Sequence, residues 1–159
     1  MITVELFNPE QQAYKQISLP MSQEKLIDFS LKEGKDFVVS GYSLPLSPSD
    51  VNVFQLNEVL TRLGEENLKI LLQKFDFDEI YNGDPVIIVN FNSFRKGAIT
   101  YNDYWKGYLL NELGLFCVPF SYPKEAESYI DFKKVWREAV YNGWASVFYQ
   151  DEPYLITIN

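Results

Sequence analysis

Apolar and polar residues alternate at the start of this chain, and the period then changes. Residues 2–7 (ITVELF) alternate with β-favouring side chains and end at Asn8-Pro9, which predicts a strand and a turn. Residues 14–19 (YKQISL) read as the return strand. Ser22 precedes EKLIDFSLKEG, where Leu26, Ile27, Phe29 and Leu31 are apolar and Gly34 is a stop, so a helix is expected over 22–33. Residues 36–42 (DFVVSGY) predict a third strand. The Pro/Ser-rich stretch 44–50 (LPLSPSD) is the best boundary in the chain.

The period then lengthens. Val53, Leu56, Val59, Leu60 and Leu63 recur at helical spacing behind a cap at Asp50 or Asn52, and Gly64 should end that helix in a left-handed conformation. Glu65 and Glu66 open a second helix expected to reach residue 75, with Leu68, Leu71, Leu72 and Phe75 on its apolar face. Asp76-Phe77-Asp78-Glu79 and the turn Asn82-Gly83-Asp84-Pro85 lead to a continuous apolar strand at 85–91 (PVIIVNF), expected to be central or covered. Beyond a basic loop at 93–97, helices are expected at 102–113 and 128–140, flanking an irregular CVPFSYP. Asn142-Gly143 marks the end of the second. The chain closes on a hairpin of 145–149 and 154–158, with QDEP as its turn. No repeat or low-complexity segment interrupts this order.

Composition narrows the classes. With 159 residues, 47% hydrophobic and 16% aromatic, the chain should bury a core as about one domain. No apolar run approaches the ~20 residues that a bilayer needs. The N-terminus lacks a basic region followed by an apolar stretch, so no signal peptide is evident and a cytoplasmic location is expected. There is no histidine, which removes Ser-His-Asp and Cys-His pairs and HExxH zinc sites together. Cys117 is the single cysteine and lies in an apolar stretch without a basic neighbour, as a buried structural thiol does.

Charge changes the picture most. Twenty-two acids face fourteen bases, a net −8. This disfavours direct nucleic-acid binding, which needs a basic patch, and suits a basic protein partner. Acidity of this degree also serves plain solubility. The distribution is uneven: residues 50–89 carry eight acids (Asp50, Glu58, Glu65, Glu66, Asp76, Asp78, Glu79, Asp84) against Arg62, Lys69 and Lys74.

Asp76, Asp78 and Glu79 are also the one enzyme-like signal, a carboxylate cluster that could serve acid chemistry in a cleft. Adjacent acids are far more often a solvated helix end. As a Ca²⁺ loop the segment fails, because the sixth and twelfth places fall on Tyr81 and Ile87. Gly97, Gly107 and Gly114 lack phosphate-loop spacing. The aromatics suit core and interface packing better than base stacking, since no basic groove accompanies them.

Three blocks occur in a fixed order. The first is Gly41-Tyr42-Ser43-Leu44-Pro45-Leu46, followed by a helix holding Leu56-Asn57-Glu58. The second is the 105–113 helix leading to Gly114 and Val118-Pro119. The third is Tyr129-Ile130-Asp131-Phe132 with Arg137 beyond it, then Gly143 and the closing hairpin. In this order and at this length the chain resembles the ArdA-type antirestriction proteins of conjugative plasmids and transposons. The resemblance implies an elongated α+β chain of three small subdomains, dimerising through its C-terminal part. It also implies a DNA mimic, whose surface carboxylates stand in for phosphates in the DNA-binding groove of type I restriction-modification enzymes. Duplex DNA carries about 20 phosphate charges per turn. A chain of −8 must therefore gather its acids on one face, away from bases such as Arg95, Lys96, Lys133 and Lys134.

The expectations are accordingly these. Residues 1–49 form an N-terminal α+β subdomain, 50–92 a mainly helical middle and 93–159 a C-terminal α+β subdomain, the outer two with small antiparallel sheets. The protein is a non-enzymatic inhibitor with no catalytic residues, metal or cofactor. It has no membrane partner and binds no nucleic acid directly. Its phosphate stand-ins are Glu58, Glu65, Glu66, Asp76, Asp78, Glu79 and Asp84, followed by Glu112, Asp131, Asp151 and Glu152. The rival reading is a protein-interaction module of a mobile element or phage with an aromatic interface exposing some of Tyr101, Tyr104, Tyr108 and Trp144.

Overall fold

The alternation at the N-terminus becomes strand β1 (Ile2–Asn8), with Ile2, Val4, Leu6 and Asn8 buried and the intervening residues turned outward. The computed structural model describes residues 1–89, 137 and 139–159. Two compact units make up the chain, Met1–Asn82 and Gly83–Asn159. Both contain a small antiparallel sheet, and the fold is α+β. No helix among the described residues is long and apolar enough to cross a membrane.

In the first unit β1 lies between β2 (Ala13–Leu19) and β3 (Val38–Tyr42), antiparallel to both. The β1–β2 turn is tied by Asn8, whose buried side-chain oxygen accepts the N–H groups of Glu10 and Gln11 at 2.9 and 3.0 Å. Helix α1 (Gln23–Lys32) starts at Ser22, as its sequence predicts, and ends where the N–H groups of Glu33 and Gly34 both donate to the Phe29 carbonyl. β3 begins at Val38 rather than at 36, because the Phe37 N–H is still engaged in a turn with the Gly34 carbonyl.

Helix α2 (Val53–Leu63) is capped by Asn52, whose side chain accepts the Phe54 N–H at 2.8 Å. Leu56, Val59, Leu60 and Leu63 are its buried stripe. Gly64 then closes α2 and opens α3 (Glu65–Leu71) at once, with φ +81° and ψ 162°. This is the extended positive-φ region, which is nearly restricted to glycine, and not the left-handed helical one that its sequence context suggested. α3 is also shorter than expected. After Leu71 the bonds tighten to Gln73 N–H with Ile70 O and Lys74 N–H with Leu71 O, so the segment to Phe75 leaves as turns. The following acids form the short helix α4 (Phe77–Asn82).

The α+β part and the helical part are joined by Asn57 of α2. Its amide oxygen accepts the Met21 N–H at 2.8 Å and its amide nitrogen donates to the Met21 carbonyl at 3.0 Å. Asn57 is 6% exposed, so both bonds are shielded from water. A second tie runs from the Tyr42 hydroxyl to the Val51 carbonyl at 2.7 Å, and burial pushes the Tyr42 phenol upward.

In the second unit β4 (Pro85–Val89), β5 (Ala145–Tyr149) and β6 (Glu152–Ile158) pair in the order β4-β6-β5. β4, counted within the expected middle segment 50–92, thus hydrogen-bonds in the C-terminal sheet. Among the described strands β6 is the central one, and Val86 and Ile87 of β4 are both buried, as a covered strand requires. The hairpin is tighter than QDEP suggested. Gln150 and Asp151 alone reverse the chain, at φ 50° and 63°, so Glu152 already pairs with Tyr149 and Pro153 sits inside β6 opposite Phe148. The helical end at 139–141 stops at Gly143 (φ +100°), where Gly143 N–H donates to Val140 O and Trp144 N–H to Ala139 O. The strand end at 90–91, the loop 93–97, the helix 102–113, Cys117 and most of 128–140 lie outside the described residues.

Two substitutions test this frame. Asn57→Leu keeps the branching at Cγ and leaves both Met21 backbone groups unpaired, so it should cost about 2–4 kcal/mol in chemical denaturation. Gly64→Ala meets no atom within 4 Å, so its cost, about 1–3 kcal/mol, should come from the backbone alone.

Candidate functional site

Residues 1–82 hold thirteen acids and seven bases, and the structure sorts them by what they touch. The segment 44–52 comes back against the turns that follow α3, because Leu44 and Val51 are buried while the polar residues between them are not. An open groove of about 410 Å³ results, with Leu46, Leu72 and Phe75 among its walls. Among the described residues its charged lining is Asp50 from one side and Asp76 and Asp78 from the other, with no lysine or arginine. All three aspartates are exposed. The Ser49 hydroxyl donates to Asp50 at 2.9 Å and holds its orientation without offsetting its charge.

Glu79 lies beside this group in sequence but has a local task. Its carboxylate accepts the Asp76 N–H at 2.9 Å, while the Asp76 carbonyl accepts the Ile80 N–H at 3.2 Å. The first bond is the N3-to-N-cap half of a capping box and the second is the first turn of α4; an Asp followed three residues later by Glu is the sequence signal for that half. Glu79 remains exposed.

Glu65 is engaged more heavily. Lys69, one turn on, donates to its carboxylate at 2.6 Å, and the N-terminal ammonium of Met1 bonds the same group. Hydrogen bonds from Lys69 and then from the ammonium hold the Glu65 carboxyl below its ordinary value. Two cations on one acid leave little negative potential there for a partner to sense. Glu66, next in α3, is exposed.

Glu58 is exposed on α2, where the Tyr81 hydroxyl reaches it at 3.4 Å. Arg62, one turn on, is turned away to the end of α4, with Nη2 donating to the carbonyls of Ile80 and Tyr81 at 2.7 and 3.3 Å. In the second unit Asp84 is exposed beside a reciprocal backbone pair with Asn159 that extends the β4–β6 ladder. Asp151 and Glu152 are exposed at the hairpin tip, and the Tyr154 hydroxyl donates to Glu152 at 3.4 Å. Glu112 and Asp131 lie outside the described residues, as do Tyr101, Tyr104, Tyr108 and the basic residues Arg95, Lys96, Lys133 and Lys134. Trp144 is 8% exposed and is a core residue, so it drops out of any exposed aromatic interface.

Asp50 belongs to the acidic stretch 50–89 but not to the expected phosphate stand-ins. Its place opposite Asp76 and Asp78 depends on a chain reversal that no local pattern marks. Among the described residues no group of three or more potential metal ligands converges. Comparison with protein-family models, with curated proteins and with solved structures finds no match to this chain.

Glu65 makes a pH prediction. Its folded carboxyl titrates below the unfolded one, so its contribution is present above the unfolded value and lost as pH falls through the folded one. Glu65→Gln should lower Tm slightly at pH 7, by an exposed ion pair's worth. Thermal melts of the two proteins should converge as pH drops below the ordinary carboxylate range.

Proposed function

We propose that this protein is a non-enzymatic decoy of duplex DNA that occupies the DNA-binding groove of a type I restriction-modification enzyme. The observation carrying this reading is the groove bordered by Asp50, Asp76 and Asp78 and, among the described residues, by no cation. Paired acids elsewhere support it by contrast. Lys15 with Glu33, Lys32 with Asp28 and Lys69 with Glu65 consume positive charge away from that groove. The order of the Gly41–Leu46, 105–119 and 129–143 blocks adds the resemblance to ArdA-type proteins. On this reading the chain is an elongated set of three subdomains that dimerises through residues 93–159. It works in the cytoplasm of a cell that has received a mobile element.

The three groove aspartates, with Glu58, Glu66, Asp78's neighbour Glu79, and Asp84, are then the leading phosphate stand-ins, and Glu65 the weakest of the set. Purified protein should protect unmodified DNA from a type I enzyme, and protection should fall steeply between 50 and 200 mM salt. Neutralising Asp50, Asp76 and Asp78 to Asn one after another should weaken inhibition in steps, reaching about tenfold for the triple variant at exposed-pair strength. Full potency in the triple variant would remove this groove from the interface.

One observation favours the second reading, a protein-interaction module with an apolar interface. The outward face of the β2-β1-β3 sheet carries Phe7 and Tyr14, ring centroids 4.8 Å apart, with Val38 paired beside Phe7. Tyr14 is 75% and Val38 56% exposed. Binding through that face would vary little with salt and would be lost on Tyr14→Ser, while the aspartate variants kept it.

A further inference from the structure

A second groove, of about 620 Å³, runs through the first unit between the start of α1 and the exposed side of α2. We infer that it receives a single arginine or lysine side chain of a protein partner, with Glu58 as the counter-charge and Phe54 and Tyr81 as aromatic walls. This inference deepens the decoy reading, because it rests on that reading's basic partner and gives it one defined anchoring point.

Phe54 and Glu58 are one turn apart on α2, which places them on the same helix face. Phe54 is 38% exposed. Tyr81 arrives from α4 with its hydroxyl on the Glu58 carboxylate. Two rings and a carboxylate thus border one concavity, the combination that recognises an organic cation. Beneath them Leu26 is almost fully buried and Asn57 has both ends of its amide on Met21. The floor therefore asks for no further hydrogen bond and suits the methylene stem of a long basic side chain.

Charge selects the occupant. Among the described residues Glu58 has no ion-pair partner, and its one hydrogen bond comes from a neutral phenol. Arg62 is the groove's cation, and its guanidinium is directed to the backbone carbonyls ending α4. Those carbonyls carry the negative end of the helix dipole and offset its charge. An anionic ligand would meet Glu58 unshielded, and a lone carboxylate makes a poor metal site.

The test is an NMR titration of the full chain with Nα-acetyl-arginine amide, with the citrulline analogue as a neutral isostere. Shifts at Leu26, Phe54, Glu58 and Tyr81 are expected with arginine and not with citrulline. Glu58→Gln and Phe54→Ala should each weaken binding about five- to tenfold, and Glu10→Gln, an exposed acid in the β1–β2 turn, should leave it unchanged. Equal shifts with citrulline, or arginine binding indifferent to Glu58→Gln, would overturn the inference. Tetramethylammonium binding as tightly as the arginine amide would also overturn it, by making the groove a site for small organic cations. Nuclease protection separates the two claims. Arginine binding without protection defeats the decoy reading alone, and protection without arginine binding defeats the groove alone.

Discussion

Asn57 holds Met21 by both of its backbone hydrogen-bonding groups, and much of the first unit follows from that contact. Met21 immediately precedes the N-cap of α1, and Asn57 lies in the middle of α2. A flexible joint between a three-stranded sheet and a set of short helices becomes a fixed one. The contact is specific because it is buried: a backbone group shielded there and left without the Asn57 amide would go unpaired at a cost. The groove lined by Met21 and Asn57 depends on the result, while the aspartate groove follows from the burial of Leu44 and Val51. One is bounded by α1 and α2 themselves, and the other by the segments leading into α2 and out of α3.

The acids of this unit divide by their surroundings. Glu79 completes a helix cap and Glu65 gathers two cations, so both stabilise the fold locally. Among the described residues Asp50, Asp76 and Asp78 meet no base across their groove, and Glu58 meets a phenol rather than a cation. Exposed charges near one another raise the energy of the free protein modestly. On the decoy reading a basic partner would relieve that repulsion, which is why these acids, and not the acidic total, carry the functional reading.

On the decoy reading, the two grooves would meet different parts of one basic surface. A concavity whose described charged residues are all aspartates presents diffuse negative potential, which steers encounter and tolerates many arrangements of lysine and arginine. Aromatic walls around a single carboxylate demand a particular cation in a particular place. Diffuse attraction with one anchoring contact is an economical arrangement for a chain whose net charge is well below that of the duplex it would imitate.

Features set by a few adjacent residues were legible in the sequence. Ser22 and Asn52 cap helices because their side-chain oxygens reach N–H groups two or three residues on, and Gly143 ends one because it tolerates positive φ. The strand and helix periods of residues 2–19 and 53–63 follow from which faces must leave water. The short α3, the two-residue reversal at Gln150–Asp151 and the pairing of β4 with β6 were not legible, since each depends on hydrogen bonds chosen among competing partners. The candidate sites divide in the same way. Composition alone determined that the chain is acidic, without histidine, and most acidic between residues 50 and 89. Only the tertiary structure decided that Asp50 faces Asp76 and Asp78, that Tyr81 reaches Glu58 and that the Met1 ammonium reaches Glu65. A charge's effect depends on its neighbours in space, and distant segments become neighbours only when burial of their apolar residues brings them together.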